Sequence, residues 1–306
     1  MNTAANIALP QSSEARRAVA PSRLHDFYEL TKPRMNFLVV ITTMVGFYVG
    51  SGASVDWMLL VHTLVGTAMT AASASVLNQL IERRFDALMP RTRNRPLPAG
   101  RVAPAEAASF AAALGVCGVA YLLLLVNGLT ALLGLLTLAS YVLVYTPLKR
   151  RTSLNTVVGA VPGAIPPVMG FTAAQGALSA EALAVFGILF FWQMPHFLAI
   201  AILYRDDYAR GGFKMLPVVD EDLTCTGRQI VLYATALIPV SLVPALLGTA
   251  GAGYFTCAVL LGLAFLSFGV SCATSRGERT DARKLFFASI VYLPLLLAAL
   301  MIDKAP

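Results

Sequence analysis

The sequence predicts an all-α membrane protein, a bundle of nine transmembrane helices with its N-terminus cytoplasmic and its C-terminus outside. Three observations carry this. Of 306 residues, 57% are hydrophobic and only 13% are charged, whereas a soluble domain runs about 45–50% apolar and about 25% charged. Apolar stretches long enough to cross a bilayer, about 20 residues at 1.5 Å rise each, recur along the whole chain. The Lys and Arg residues fall almost entirely on one side of those stretches. Length alone suggests about two globular domains, but the hydropathy overrides that prior.

Residues 1–30 read as a cytoplasmic tail without a continuous apolar core, so no cleavable signal peptide is expected. The stretch ending at Lys32-Pro33-Arg34 reads as a surface helix. Residues 31–306 form a single nine-helix domain, with spans at roughly 35–52, 58–80, 104–126, 129–146, 155–174, 181–203, 229–248, 252–273 and 285–302. Short turns such as Asn127-Gly128 and Thr249-Ala250-Gly251 make neighbouring spans antiparallel. Small residues at Gly46–Gly50 and Gly159–Gly163, with Pro166-Pro167, read as close packing and kinking of the first and fifth spans.

Counting Lys and Arg by segment gives five in the tail, six between spans two and three, and three between four and five. Four more lie between six and seven, four between eight and nine, and one, Lys304, at the C-terminus. That is 22 on one side against 1 on the other. The positive-inside rule then places the N-terminus in the cytoplasm and favours an odd number of spans. Basic clusters beside apolar spans are topology signals, so the expected partner is the lipid bilayer and no nucleic acid. The four Cys (117, 225, 257, 272) lack CxxC or Cys/His spacing, which supports neither a disulfide framework nor a zinc site.

Ionisable side chains at membrane depth are costly and mark a functional site by default. At the cytoplasmic end of span two, Asn78, Glu82 and Asp86 stand at i, i+4, i+8, one oxygen-bearing stripe along about 12 Å of helix. Carboxylates with an amide oxygen suit Mg²⁺, which is usually held by one or two carboxylates plus substrate phosphates. The loop that follows carries Arg91, Arg93 and Arg95, whose guanidiniums pair phosphate oxygens bidentately. The same residues also fit a solvated helix end with ion pairs and a topology-setting loop.

A second acid-bearing helix end follows span six, Tyr204-Arg205-Asp206-Asp207-Tyr208, continuing through Gly211-Gly212 to Lys214 and Pro217. Two such ends on one face would clamp a diphosphate between two metals. Lys149 and Arg150, after span four, face the same layer. Inside span six, Pro195 should kink the helix, and His196 reads either as a hydrogen-bonded packing residue or as a contact to a polar substrate. Loss of diphosphate from an allylic prenyl diphosphate leaves a carbocation. Metal and Arg/Lys stabilise the departing charge, and a water-poor helical bundle protects the cation. Neither a Ser/His/Asp arrangement nor a P-loop is present, so hydrolytic and nucleotide-driven chemistry have no support.

The Asn78-xxx-Glu82-xxx-Asp86 stripe on nine spans, with the 204–212 acid stretch, resembles the UbiA-type intramembrane prenyltransferases, whose usual motifs are NxxxDxxxD and DxxxD. Four stretches are similar to the haem-farnesylating branch of that family: DALMPRTRNRPLP at 86–98, YTPLKRRTSLN at 145–155 continuing through Gly159 to Gly170, WQMPHF at 192–197, and YRDDYARGGFKMLP at 204–217. The likeness extends over roughly 25–300.

The resemblance implies transfer of a farnesyl group from farnesyl diphosphate to a vinyl group of haem b, giving haem O for terminal oxidases. It implies a multi-pass protein of the cell inner membrane with its active site facing the cytoplasm. A haem A synthase or terminal oxidase assembly partner is also implied. Asn78, Glu82 and Asp86 would bind Mg²⁺ and diphosphate, with Asp206 or Asp207 supplying the second metal contact. Arg91, Arg95, Lys149 and Lys214 are the phosphate cations; His196, Tyr204 and Tyr208 stand on the acceptor side. Glu82 replaces the family's middle Asp, which agrees with the haem branch and lengthens that ligand by one methylene. The second motif departs further, because Asp206-Asp207 lie between Tyr204 and Tyr208 rather than four residues apart.

Two alternatives bound this reading. A quinone- or chlorophyll-type prenyltransferase would keep the fold and take an aromatic acid or chlorin; the WQMPHF and MLPV stretches oppose it. An ion-coupled transporter would place its sites near the bilayer midplane on broken helices, whereas these acids cluster at one face beside basic loops.

Overall fold

A computed structural model describes residues 22–305; residues 1–21 of the expected tail, and Pro306, lie outside the described residues. Within the described residues the fold is helical, and the sole strand-like pairing is an isolated bridge between Ala250 and Lys304. Helix α1 (Arg23–Leu30) is the expected surface helix, started by Ser22, whose hydroxyl accepts from the His25 N–H. The long helices follow: α2 (Pro33–Gly50), α3 (Trp57–Asp86), α4 (Pro104–Leu125), α5 (Gly128–Leu148), α6 (Asn155–Gln175) and α7 (Ala180–Leu203). Two short pieces, α8 (Arg205–Arg210) and α9 (Leu216–Val219), lead into α10 (Thr224–Leu246), α11 (Ala252–Thr274) and α12 (Arg279–Ile302).

Eight of these, α3 to α7 and α10 to α12, are long and apolar enough to cross a membrane. Helix α2, at the position of the expected first span, falls outside that set: it has 18 residues, and Pro33, Arg34 and Asn36 occupy its first turn. The expected turns are present. Asn127 accepts from the Thr130 N–H at 2.8 Å and so starts α5, and α7 runs through Pro195 from Ala180 to Leu203. In a bilayer every backbone polar group must be satisfied internally, and continuous helices do this wherever the chain is apolar.

The helices pack through small residues, as membrane helices do in the absence of a hydrophobic drive between them. A side chain at Gly46 would collide with the Pro167 carbonyl, and one at Gly170 with the Thr43 carbonyl and the Phe47 N–H, so α2 and α6 touch backbone to backbone. Pro162, Pro166 and Pro167 all lie inside α6 and are buried against its neighbours. The main apolar core joins α6, α7 and α10 to α12 around Phe171, Ile188, Trp192, Ile230 and Phe265.

At the end of the bundle away from the acid stripe, the C-terminal residues tie helix ends together. The Asp303 carboxylate accepts from the Tyr254 N–H at 2.6 Å, capping the start of α11. The Lys304 ammonium donates to the Tyr48 carbonyl at 2.9 Å and also to that of Ser51, closing the end of α2. A carboxylate at a helix start and an ammonium at a helix end both match the helix dipole.

The seam between α2 and α6 yields a stability test. Gly170→Ala should destabilise by about 3 kcal/mol or more, the upper end of overpacking costs, because only backbone faces the added methyl. Gly128→Ala, where the nearest atom is Leu123 Cδ1 at 3.9 Å, should be neutral. Thermal unfolding of both variants in detergent measures the difference.

Candidate active site

Helix α3 continues to Asp86, six residues beyond the span expected from hydropathy, and its last turns carry the acid stripe. Asn78, Glu82 and Asp86 are 1%, 6% and 2% exposed. Burial excludes a simple solvated helix end, because unpaired buried charge is strongly disfavoured. Each member meets a cation from a different part of the chain. The Lys32 ammonium donates to Asn78 Oδ1 at 2.9 Å, the Lys149 ammonium lies 2.9 Å from Glu82 Oε1, and Arg95 Nη1 donates to Asp86 Oδ2 at 2.8 Å. Lys149 makes its hydrogen bond to Glu82 Oε2, at 3.2 Å, so the buried Oε1 has a charge nearby but no aligned donor.

Local structure explains how each cation arrives. Lys32 has a left-handed backbone, φ 49°, uncommon for a side-chain-bearing residue. It sits between α1 and Pro33, the first residue of α2. Helix α1 is fixed in turn: Gln79 Nε2 donates to the Leu30 carbonyl at 2.6 Å, and Arg101 donates to Asp26 at 2.8 Å and to Glu29 at 3.3 Å. The loop after α3 folds back on itself, with the Thr92 hydroxyl donating to the Asp86 carbonyl at 2.8 Å, and this returns Arg95 to Asp86.

Lys149 is delivered by the end of α5. The sequence predicts plain helix there, but Ser140–Tyr145 form a π-helical turn, a feature that clusters at functional sites. Pro147 lacks the N–H needed to continue a regular ladder, and the Thr146 hydroxyl donates to the Tyr141 carbonyl at 2.8 Å. The same hydroxyl accepts from Asn78 Nδ2 at 3.2 Å, which orients the Asn78 oxygen toward Lys32. The Lys149 ammonium also lies 4.7 Å from the centre of the Tyr145 ring.

Electrostatically the stripe carries a cationic surplus, two carboxylates against Lys32, Lys149 and Arg95. Burial, then the charges of Arg95 and Lys149, push the Lys32 ammonium down to about 7 against the pull of Glu82 and Asp86. Burial opposes the charge on Lys149 most strongly, but the Glu82 carboxylate, Tyr145 and Tyr141 together outweigh burial and hold that ammonium above its ordinary value. A further cation, Arg150, rests 3.8 Å over the Phe85 ring instead of on an acid. Beside Glu82 is a cavity of about 380 Å³ lined by Phe85, Thr146, Arg150, Arg151 and Phe213. An open-mouthed, cation-rich pocket with aromatic walls suits a multiply charged anion on an apolar tail.

The second acid-bearing end comes to the same layer through an apolar clamp. Met89 of the first loop packs with Ala201, Phe213 and Met215, with Phe85 and Tyr208 against them. The Arg91 guanidinium lies 4.5 Å from the Tyr204 ring and 5.5 Å from that of Tyr208, and it donates to the Tyr208 hydroxyl at 3.4 Å. Asp206 is exposed, and Asp207 pairs with Arg210 on its own short helix. Among the described residues no three His, Cys, Asp or Glu side chains converge on one point. The oxygen donors brought close together are those of the first stripe.

Other expected residues stand differently. Lys214 is exposed, and its contacts run through its backbone: its N–H donates to the Lys149 carbonyl at 2.7 Å, and its carbonyl accepts from Asn155 Nδ2 at 2.9 Å. It holds the two loops together, because both its hydrogen-bonding groups are used across them while the ammonium remains in solvent. His196 Nδ1 is 2.6 Å from the Ser289 hydroxyl, and the ring stacks on Trp192 and Phe286. None of these partners belongs to the stripe. Lys32 and Thr146 are site residues that sequence reasoning missed; the one signal for Lys32 was its place before a proline.

Known proteins resemble this chain over most of its length. Residues 39–291 match the UbiA prenyltransferase family. The protoheme IX farnesyltransferase of Solibacter usitatus is 48% identical over 290 residues, covering 92% of this chain and 99% of the relative. That of Koribacter versatilis is 44% identical over 293 residues, covering 92% and 94%. Among solved structures, a digeranylgeranylglyceryl phosphate synthase aligns with a TM-score of 0.75 at 16% identity, covering 92% of this chain and 98% of its own. A UbiA homologue from Archaeoglobus fulgidus bound to GPP and Mg²⁺ aligns with a TM-score of 0.64 at 19% identity, covering 90% and 99%. At those identities the two structures speak for the fold alone. With its buried stripe, its aromatic-walled cationic pocket and a match across most of its length, the chain belongs to the UbiA prenyltransferase family.

Proposed function

We propose that this membrane prenyltransferase moves the farnesyl group of farnesyl diphosphate onto a vinyl group of haem b, giving haem O for terminal oxidases. The observation that carries the chemistry is the stripe Asn78, Glu82, Asp86, buried and met residue by residue by Lys32, Lys149 and Arg95. The acceptor follows from relatives named protoheme IX farnesyltransferase that align over nine-tenths of the chain.

Lys32, Lys149 and Arg95 are paired along the stripe, and Glu82 of that stripe lines the cavity together with Arg150 and Arg151, so a diphosphate held beside the stripe has cations on both sides. Arg95 offers a fork that matches two phosphate oxygens, and Arg91 and Arg150 stand in reserve on aromatic rings. As the allylic C1–O bond breaks, its electron pair leaves with the diphosphate, and these preorganised cations stabilise the growing charge. The vinyl π pair forms the new carbon–carbon bond to C1. The resulting cation, on the carbon next to the macrocycle, takes up water and loses a proton, leaving a hydroxyl. Phe85, Phe213 and Tyr145 keep water from the farnesyl cation before that bond forms, and their ring faces favour positive charge.

The residues fit Mg²⁺. Asn78 Oδ1 and the Glu82 and Asp86 carboxylates are hard oxygen donors, Glu82 Oε1 is buried without an aligned donor, and Asp207 is our choice for the contact from the second motif. Bound Mg²⁺ would supply charge neutralisation for the leaving diphosphate. The Archaeoglobus homologue bound to GPP and Mg²⁺ supports this use.

We read α2 as the ninth crossing, 31–306 as one domain, and the N-terminus as cytoplasmic. The site then faces the cytoplasm from the cell inner membrane, and a haem A synthase or terminal oxidase assembly partner takes the product.

Purified protein in lipid, given haem b, farnesyl diphosphate and Mg²⁺, should yield a farnesylated, hydrated haem by mass spectrometry, and chelator should abolish it. Unchanged haem, with diphosphate released when an aromatic acid is supplied instead, would transfer the function to a different acceptor class. Asp86→Ala should lower turnover by about 10²–10³ yet leave the protein folded in the membrane, because Arg95 is accessible enough to be hydrated; full activity would remove Asp86 from the site. Glu82→Asp, a retreat of one methylene, should retain partial activity. Lys32→Met should raise KM for farnesyl diphosphate about tenfold, the worth of one charge-assisted hydrogen bond, and an unchanged KM would assign Lys32 a purely structural role.

A further inference from the structure

We infer that Arg279 and Arg283 clamp the two propionates of haem b and thereby aim its vinyl edge at the diphosphate site; the inference rests on the acceptor proposed above. The two arginines stand at i, i+4 on the first turns of α12, neighbours on one helix face. Both are exposed, and neither has an acidic partner among the described residues. The acids beside them are engaged elsewhere: Asp281 pairs with Lys284 at 2.9 Å, and the Glu278 carboxylate accepts from the Thr280 hydroxyl at 3.0 Å.

Between α12 and the end of α7 lies a cavity of about 180 Å³ walled by both arginines, Leu203, Tyr204, Phe286 and Phe287. It is separate from the cavity beside Glu82. At that size it is smaller than a pocket for a whole drug-sized ligand, about 300–1,000 Å³, so it takes the carboxylate edge of a flat molecule and leaves the remainder on the aromatic wall. That wall is stiff, because Phe286 stacks on His196 with centroids 5.3 Å apart and His196 is hydrogen-bonded to Ser289. Phe287 is 57% exposed and Tyr204 is 40% exposed, which leaves open faces for a macrocycle.

Direction comes from Tyr204. Its ring lines this cavity, and the Arg91 guanidinium sits 4.5 Å from the same ring. On haem b the vinyl groups stand on the two pyrroles opposite those bearing propionates. With the propionates on Arg279 and Arg283, a macrocycle lying across Tyr204 presents its vinyl edge toward Arg91 and the stripe. The sequence alone shows these arginines as topology charges, which explains why they escape notice there.

The test compares haem b with its dimethyl ester, in which both propionates are neutral, as acceptors for the full-length protein in lipid. Wild type should prefer haem b. Arg279→Gln with Arg283→Gln should raise KM for haem b about tenfold or more, the effect of losing charge-assisted bonds, and erase the preference. KM for farnesyl diphosphate and turnover of the ester should not move. Lys-for-Arg at both positions should restore part of the preference, and Lys284→Gln, which removes one positive charge from the same helix, should change nothing. An unchanged KM for haem b, or an equal loss on haem b and ester, overturns the clamp and leaves the pair as lipid-facing charges. If the double variant does not fold, absence of a preference in wild type overturns it equally. Failure of wild type to prenylate either porphyrin would instead overturn the acceptor itself, a result distinct from loss of the preference.

Discussion

Charge buried at the edge of a bilayer must be matched, and this requirement organises the active end of the molecule. One helix presents Asn78, Glu82 and Asp86 on a single face because the helical repeat allows nothing else for that spacing. Removing Glu82 would leave the Lys149 ammonium buried and uncompensated, which is strongly destabilising, whereas Arg95 beside Asp86 reaches solvent. Three separate segments therefore have to converge: the turn between α1 and α2 for Lys32, the end of α5 for Lys149, and the loop after α3 for Arg95. The left-handed backbone at Lys32 and the π turn before Thr146 are local departures tolerated because they bring those partners in. The pairing that keeps the empty site stable also leaves it short of negative charge, and so receptive to a diphosphate.

The second loop serves the first. Met89, Phe213 and Met215 form an apolar clamp over the charged layer, and Lys214 fastens the loop to Lys149 and Asn155 through its backbone. Position, more than metal-binding power, is what the 204–217 stretch visibly contributes, since Asp207 is already paired with its own Arg210.

The spans and the stripe were legible in the sequence because both rest on local periodicity: apolar length for one, a four-residue spacing for the other. The end of α3 shows in that four-residue spacing, which carries the helix to Asp86, and not in hydropathy, which falls where Glu82 and Asp86 begin. Lys32 was hidden among topology charges, and nothing in a uniformly apolar run marks Ser140–Tyr145 as a π turn. Helix α2 is an intermediate case, its apolar run preceded by a polar first turn that its neighbours accommodate. His196, conspicuous as an isolated polar residue, stacks on Trp192 one turn back on its own helix and is held by Ser289 and Phe286; the last two contacts depend on a helix about ninety residues away and leave no trace in local sequence.

The glycine seam between α2 and α6 has a mechanical consequence. With backbone against backbone at Gly46 and Gly170, the two helices cannot slide or separate and behave as one stiff wall. Lys32 stands at the head of α2 and reaches Asn78 on α3, while Lys304 ties the far end of α2 to the C-terminus. The seam therefore sets the depth at which a site cation is presented, and a shift of α2 along α6 would be felt first at Asn78.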